Sequence, residues 1–425
     1  CIRDRPDVDL LFGVHSMYTH SVGAAVIVFL IARVVTGGWR WAIAASLAYA
    51  FVGGFIAHRI GLPPLVGYLL AGLAVGPFTP GFVADAEIAA QLAEIGVILL
   101  MFGVGLHFSV RDLLAVRRLA LPGAVAQILV ATALGAGIAA LWGWSLAAGL
   151  VFGLALSVAS TVVLLRALED QGVLHTDDGR IAVGWLVVED LVMVLVLVLL
   201  PPLAGWLIGA DDTGPGATLG AALGLTVLKV TAFVLVMLLI GPRVLPWMLR
   251  QVESTGQPEL FTLGVVAIAI GVAFGSALLF GVSVALGAFF AGVVINESDS
   301  RHRVEKRLRP FQDAFAVLFF VAVGMLFDPA ILVEQPLKLL AVLLIIVVGK
   351  SAAAVCIVLL LGQARSTALK VSAALAQIGE FSFILAGMGV TLGVLPDAGL
   401  SLIVAGALLS ITLNPLVFRL AGRMA

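Results

Sequence analysis

Long apolar stretches, separated by short polar ones, follow one another along nearly the whole chain. Averaged over windows of about 19 residues, which suit a membrane-spanning helix, the pattern divides the chain into fourteen apolar segments. The segments lie near residues 21–35, 41–58, 64–83, 92–109, 119–142, 145–168, 181–207, 217–249, 258–278, 281–296, 313–328, 337–361, 367–392 and 399–420. Because 21–35 is shorter than the roughly 20 residues that a spanning helix needs, the pattern predicts 13 transmembrane helices, or 14 if this first segment also crosses. We number the spans from 41–58 onward.

The composition supports this interpretation. With 62% hydrophobic and 12% charged residues and a mean hydropathy of +1.18, the chain lies far outside the range of soluble domains and indicates an all-α polytopic membrane protein in a lipid bilayer. The net charge of -1, without basic runs interleaved with aromatic residues, gives no sign of a nucleic-acid partner. Only Cys1 and Cys356 are present, and the six histidines lack a metal-ligand spacing, so we expect no disulfide framework and no cofactor.

Basic residues concentrate in every second predicted loop. They follow every odd-numbered span, including the last, and the longest basic segment is 296–311. The intervening loops carry mainly acidic residues, among them Asp85, Glu87, Asp211 and Asp212. By the positive-inside rule, the basic loops and the C-terminus are expected in the cytoplasm.

Short motifs recur at a constant distance along the chain. The recurring pairs are 67–72 with 287–292, 104–108 with 323–327, and 155–156 with 374–375, at shifts of 220, 219 and 219 residues. Each pair lies seven predicted spans apart, and because seven is an odd number the two copies must enter the membrane from opposite sides. The pattern therefore predicts an inverted repeat, which is typical of secondary transporters.

The repeat gives the predicted domain organisation. Residues 1–40 form a leader with a possible extra helix, 41–207 form the first repeat, and 258–420 form the second. The segment 217–249 is expected to be a connector helix between them.

Two adjacent carboxylates, Glu189 and Asp190, lie in the middle of the apolar stretch 181–200. A charge at this depth costs at least a few kcal/mol on insertion scales, so it usually faces a bundle interior or a water-filled cavity and marks an ion or proton path. Lys350 lies inside the segment 337–361. Since an unpaired buried charge is far more costly than a matched pair, we expect Lys350 to pair with Glu189 or Asp190.

Spans 5 and 12 are each interrupted at mid-depth by polar and small residues, at 157–161 and 377–380. Non-helical backbone is tolerated there only where it lines a cavity, and interrupted helices at matching positions of two repeats indicate a substrate site. Alternatively, the hydroxyl groups bond back to their own helices. The candidate ion- and proton-binding residues are Asp190, Glu189, Ser157, Ser160, Thr161, Gln377 and Glu380, with Lys350 as their charge partner.

The candidate ligands are carboxylate, hydroxyl and carbonyl oxygens. Such hard ligands suit an alkali cation rather than a transition metal. A single carboxylate site that binds either a proton or a cation, and opens alternately to the two sides, couples the two flows because the empty charged site is costly to move across the membrane.

Four motifs carry a family resemblance: residues 61–72 (GLPPLVGYLLAG), 99–106 (LLMFGVGL), 188–191 (VEDL) and 376–381 (AQIGEF). Together they resemble the monovalent cation:proton antiporter-2 family, and within it the Kef-type transporters, over nearly everything from residue 41 to the end. The resemblance implies a sodium/proton-antiporter-like fold with two crossed broken helices. It also implies a homodimer in a bacterial inner membrane that exchanges K+, or alternatively Na+, for protons.

Individual residues match the family's functional positions. Asp190 resembles the ion-binding and proton-carrying aspartate, the stretches 157–161 and 377–380 resemble the two unwound segments, and Lys350 resembles a basic residue that pairs with the acidic site in several relatives. Glu189 is a departure, because Kef-type proteins commonly carry Gln there. This departure leaves the ion preference and the stoichiometry open.

Kef-type proteins usually continue into a cytosolic nucleotide-binding domain. We expect none within this chain, because its Gly-rich stretches lie inside apolar spans and none forms a Rossmann phosphate loop. The basic segment 296–311 resembles the element that contacts such a domain or subunit; alternatively, it serves only as a positive-inside anchor.

The residues also bear on three other functions. An ion channel lacks support because no selectivity-filter segment is repeated, and a transport-inactive membrane sensor stays open. An intramembrane aspartyl protease needs two aspartates on different helices, whereas only Asp190 is clearly at mid-span. The sequence therefore favours a cation/proton antiporter and predicts no enzymatic activity.

Overall fold

A computed structural model of the protein describes residues 39–79, 86–107, 110–174, 176–207 and 219–424. Within these ranges all regular secondary structure is helical, which confirms the predicted all-α class. The doubtful segment 21–35, and with it nearly all of the leader 1–40, lies outside the described residues.

The helices follow the apolar pattern closely. The first are α1 (Trp39–Arg59), α2 (Pro64–Val75), α3 (Ala86–His107), α4 (Val110–Leu141), α5 (Leu146–Ser157), α6 (Thr161–Asp170), α7 (Asp177–Leu207), α8 (Leu219–Leu239) and α9 (Gly241–Glu253). Then come α10 (Pro258–Phe280), α11 (Val284–Asn296), α12 (Arg301–Met325), α13 (Ile331–Glu334), α14 (Pro336–Leu344), a π-helical turn (Ile345–Gly349), α15 (Lys350–Leu360), α16 (Arg365–Leu375), α17 (Glu380–Thr391) and α18 (Asp397–Met424).

The described residues contain 7 helical segments that are long and apolar enough to cross a membrane, or up to 9 if each of two bent pairs counts as one span. Some predicted spans correspond to shorter helices, such as α2 with 12 residues and α11 with 13. At 1.5 Å per residue, a helix of this length extends only about 20 Å, less than the hydrocarbon thickness. The count of 13 or 14 transmembrane helices therefore stays a prediction.

Two predicted segments differ from the structure. In the connector 217–249, expected as one helix, the described residues from 219 onward belong to α8 and α9, which are bent by 50°. Pro242, in the first turn of α9, lacks the N–H that would continue the helical ladder. The segment 296–311, expected as a loop, is helical from Arg301 onward, because no helix-breaking residue stands between 301 and Pro310.

The described helices form two compact units. The smaller contains the described residues up to Ala93 together with Val317–Phe327, and its buried residues include Ala50, Ala71 and Val321. The larger contains the remaining described residues, including both interrupted segments and the buried carboxylates. Its buried core residues include Trp185, Leu186 and Leu375.

Close helix crossings occur at residues that the sequence repeat matches. In the smaller unit, a Cβ atom built on Gly72 of α2 would lie 2.9 Å from Gly324 Cα of α12. In the larger unit, a Cβ atom built on Gly105 of α3 would lie 3.0 Å from Gly292 Cα of α11. Such contacts require glycine, as is common where membrane helices touch. Gly72 and Gly292 are partners in the repeat, as are Gly105 and Gly324.

Candidate functional site

Both predicted interruptions are present in the larger unit. The helix α5 ends at Ser157 and α6 begins at Thr161, with Ser160 capping the new helix through its hydroxyl oxygen, which accepts from Val163 N. The helix α16 ends at Leu375 and α17 begins at Glu380, with a bend of 45° between them. We call residues 158–160 the first break and 376–379 the second break. The polar and small residues therefore mark real ends of helices.

The two breaks are joined by the side chain of Gln377. Its Oε1 atom accepts a hydrogen bond from Ser160 N at 2.9 Å, and its Nε2 atom donates to Ser160 O at 3.2 Å. Buried backbone groups that leave the helical ladder need such partners. The amide that the sequence offers as an ion ligand is thus engaged with the backbone of the other break.

A tight backbone contact accompanies this bridge. Gly379 has an extended backbone, so its backbone angles do not themselves require glycine. A Cβ atom at this position would nevertheless overlap the backbone of Ser160, lying 3.0 Å from its N atom. Any larger residue must therefore push the two breaks apart.

We expect Gly379→Ala to lower both thermal stability and cation-driven proton flux. Overpacking of a well-packed interior typically costs about 1–3 kcal/mol, and here the displaced atoms belong to the site itself. Gly387→Ala on α17 is the matched control, since nothing lies within 4 Å of its Cβ position. Equal melting temperatures and fluxes for the two purified variants would contradict the importance of this contact.

The two adjacent carboxylates of α7 bind different atoms, one in the first break and one at the start of α6. Glu189 Oε2 accepts from Ala159 N at 2.9 Å, whereas Asp190 Oδ2 accepts from Thr161 Oγ1 at 3.1 Å. Successive residues of a helix point about 100° apart, so the two side chains reach different atoms from neighbouring positions. Both are buried, with 0% and 4% of their surface exposed.

A third carboxylate, that of Glu380, directly follows the second break. Glu380 is 1% exposed, and its Oε2 atom accepts from Ser160 Oγ at 3.0 Å. It occupies the first turn of α17, where the helix dipole favours a negative charge. Glu380 also interacts electrostatically with Asp190, so the structure brings these two predicted site residues together.

Lys350 is fully buried and follows the π-helical turn. Its ammonium group donates to Gln377 O, in the second break, at 3.0 Å. Its interaction with Glu189 is electrostatic, and among the described residues no Lys350 to Glu189 contact appears within ion-pair distance. The nearest partner of this lysine is therefore a backbone carbonyl rather than the expected carboxylate.

Ser157 follows the alternative in which a hydroxyl group bonds back to its own helix. Its hydroxyl group donates to Leu154 O at 2.7 Å, within its own helix. Two carboxylate oxygens of the candidate site, Asp190 Oδ1 and Glu189 Oε1, are among the buried atoms that make no hydrogen bond within the described part of the chain. An unsatisfied buried polar atom costs about 1–3 kcal/mol, and a proton or a cation would supply the missing partner.

The sequence interpretation missed two buried residues beside the first break. Gln127 Nε2 donates to Ser157 O at 3.0 Å, and Trp185 Nε1 donates to Gln127 Oε1 at 2.8 Å. A signal existed, because Gln127 is a polar residue in the middle of the apolar segment 119–142. Nothing in the local pattern indicated which atom it would contact.

Broken helices that meet beside buried carboxylates, in an all-helical chain with several membrane-spanning segments, define a secondary transporter by class. The family follows from comparison with known proteins. The chain belongs to the family described as "Sodium/hydrogen exchanger, transmembrane", whose model matches residues 42–421.

The relatives agree with this family. The chain is 59% identical over 378 residues to the "Putative cation/proton antiporter YbaL" of Escherichia coli (strain K12), covering 89% of this chain and 67% of that protein. It is 34% identical over 373 residues to the "K(+) efflux antiporter 4" of Arabidopsis thaliana, covering 87% of this chain and 62% of the relative. The predicted resemblance to Kef-type antiporters is therefore confirmed, and these relatives are transporters, not enzymes.

A solved structure shares the fold. The sodium proton antiporter MjNhaP1 from Methanocaldococcus jannaschii aligns with a TM-score of 0.59 over 96% of this chain and 99% of its own. The sequence identity is only 14%, so this comparison concerns the fold alone. It confirms the predicted sodium/proton-antiporter-like architecture.

Proposed function

We propose that the protein exchanges a monovalent cation for protons by alternating access at Asp190, with K+ preferred over Na+. The observation that carries the proposal is the buried, unpartnered Asp190 Oδ1 atom beside both breaks. A cation or a proton, but not both, would occupy this position. The names of the two antiporter relatives support the exchange, and one of them names K+ as the cation.

The contacts suggest a division of roles among the candidate residues. Asp190 and Glu380 offer carboxylate oxygens to the proposed site, with the hydroxyl group of Thr161 bonded to Asp190 and that of Ser160 bonded to Glu380. Gln377 connects the two breaks, because the oxygen and the nitrogen of its side-chain amide both bind the backbone of Ser160. Glu189 holds the first break through Oε2. Only its second oxygen, Oε1, is therefore available as an additional ligand of the cation.

Alternating access requires two exchangeable arrangements of the helices around the site. An inverted repeat supplies them when the two halves swap conformations. The repeated glycine crossings, Gly72 with Gly324 and Gly105 with Gly292, support this architecture within each unit. We further propose that the protein is a homodimer in a bacterial inner membrane with a cytoplasmic C-terminus, and that 296–311 contacts a cytosolic regulatory domain or subunit.

Purified protein in proteoliposomes with an internal pH-sensitive dye tests the proposal. Addition of K+ or Na+ outside should drive proton movement in an exchanger. A channel would instead respond to membrane potential without cation exchange, and an inert sensor would give no signal. Strict Na+ selectivity would overturn the K+ preference while leaving the exchange itself intact.

Competition for one site makes the apparent K+ constant depend on pH. Where the site is mostly protonated, we expect the constant to rise about tenfold for each unit of acidification, because each K+ ion must displace one proton. At higher pH the constant should reach a plateau. Dye measurements over a series of K+ concentrations at pH 6 to 9 check this, and an apparent constant that stays the same throughout would contradict a shared site.

A further inference from the structure

A buried amide outside the predicted site holds the free carbonyl of the first interrupted helix. Ser157 is the last residue of α5, so its carbonyl has lost the partner that a continuing helix would provide. Gln127 of α4 is 0% exposed, and its Nε2 atom donates to this carbonyl at 3.0 Å. The protein itself therefore satisfies this carbonyl.

The amide is itself fixed by the helix that carries the carboxylates. Trp185 of α7 is 0% exposed and donates from Nε1 to Gln127 Oε1 at 2.8 Å. Trp185 stands four residues before Glu189, one turn away on the same side of α7. The helix α7 thus contacts the region of the first break in two ways. Glu189 accepts from Ala159 N, and Trp185 orients the Gln127 amide that binds Ser157 O.

The second interrupted helix has a comparable arrangement with a different donor. There, Lys350 donates to Gln377 O. Under the repeat shift of 219 residues, Lys350 corresponds to position 131, one turn after Gln127 on the same helix. The charged ammonium group of Lys350 thus holds a carbonyl of the second break, whereas the neutral amide of Gln127 holds the carbonyl before the first break.

We propose that Gln127 is a positioning residue that sets the preference between K+ and Na+ by keeping the Ser157 carbonyl out of the cation site. The inference rests on the proposed antiport at Asp190. Carbonyl oxygens are good ligands for alkali cations, and their number and position affect the selection between K+ and Na+. Without its amide partner, the carbonyl of Ser157 would be free to add an oxygen ligand to the proposed site, because it lies just before the first break.

Gln127→Met tests the proposal, because methionine has a similar length but cannot donate to the carbonyl. We expect the ratio of the apparent K+ and Na+ constants, measured in proteoliposomes, to change about fivefold, the equivalent of one net hydrogen bond. Thr132→Val is the matched control on the same helix: its buried Oγ1 atom makes no hydrogen bond within the described residues. Its ratio should equal the wild-type value, since no bond is lost.

A purely structural role predicts a different result. Gln127→Met would then lower the melting temperature but leave the ratio of constants at the wild-type value, and this result overturns the proposal. Trp185→Phe provides a second test if Gln127→Met does not fold. It removes the donor that orients the amide together with part of a buried indole, so a lower melting temperature is expected in any case. The readout is the ratio of constants, for which we expect a change of about twofold, and a wild-type ratio overturns the proposal.

Flux measurements on the wild-type protein distinguish a failure of the proposed antiport from a failure of the proposed role of Gln127. If it gives no cation-driven proton flux, the proposed antiport itself fails. If it gives flux and the ratio of constants in Gln127→Met is unchanged, only the role of Gln127 fails.

Discussion

Replacement of Asp190 by asparagine should abolish cation-driven proton flux while leaving the protein folded. Asparagine has nearly the same shape and can still accept from Thr161 Oγ1, the contact that Asp190 Oδ2 makes at 3.1 Å. It cannot carry the exchanged proton, and it removes the negative charge that attracts the cation. We expect flux at the level of empty liposomes, with a melting temperature close to that of the wild type.

The control is Asp177→Asn, the same substitution on the same helix. The side chain of Asp177 is 95% exposed and lies 3.8 Å from Arg180, in a surface pair of a kind that contributes little to stability. This variant should keep cation-driven flux at the wild-type level. Wild-type flux in Asp190→Asn would remove Asp190 from its role as the exchanging carboxylate.

The features that could be predicted from the sequence are local ones. Apolar segments long enough to cross a membrane gave the all-α class, because each helix must satisfy its own backbone in lipid. Polar and small residues at 157–161 and 377–380 gave the helix ends, since their side chains can bond to freed backbone groups. The motif-based resemblance gave the family, which the match over residues 42–421 confirms.

The features that could not be predicted are contacts between residues far apart in the chain. Gln377 joins Ser160 across 217 positions, and Gln127 reaches Ser157 from another helix. A hydropathy pattern states that a polar side chain is buried, but not which atom satisfies it. For this reason Lys350 was expected at a carboxylate, whereas a backbone carbonyl of the second break accepts its hydrogen bond.

The buried charges of Glu189 and Lys350 should be coupled energetically although no direct ion pair joins them among the described residues. Both are 0% exposed, and in a low-dielectric interior opposite charges interact beyond hydrogen-bond distance. Removing one partner of a buried pair typically costs about 3–5 kcal/mol, because the other charge is left uncompensated. We therefore expect Lys350→Gln alone to lower the melting temperature more than the double variant Glu189→Gln with Lys350→Gln.

A second cycle identifies which carboxylate compensates the lysine. This cycle compares Glu380→Gln, Lys350→Gln and the double variant. Because Glu380 binds Ser160 Oγ, we expect the losses of stability in the two single variants to add in the double variant, as they do for independent sites. Additive losses in the Glu189 cycle would mean that Lys350 is stabilised mainly by Gln377 O and the end of α16. The lysine would then serve to hold the second break, as Gln127 holds the carbonyl just before the first, and Glu189 would act through its contact with Ala159 N.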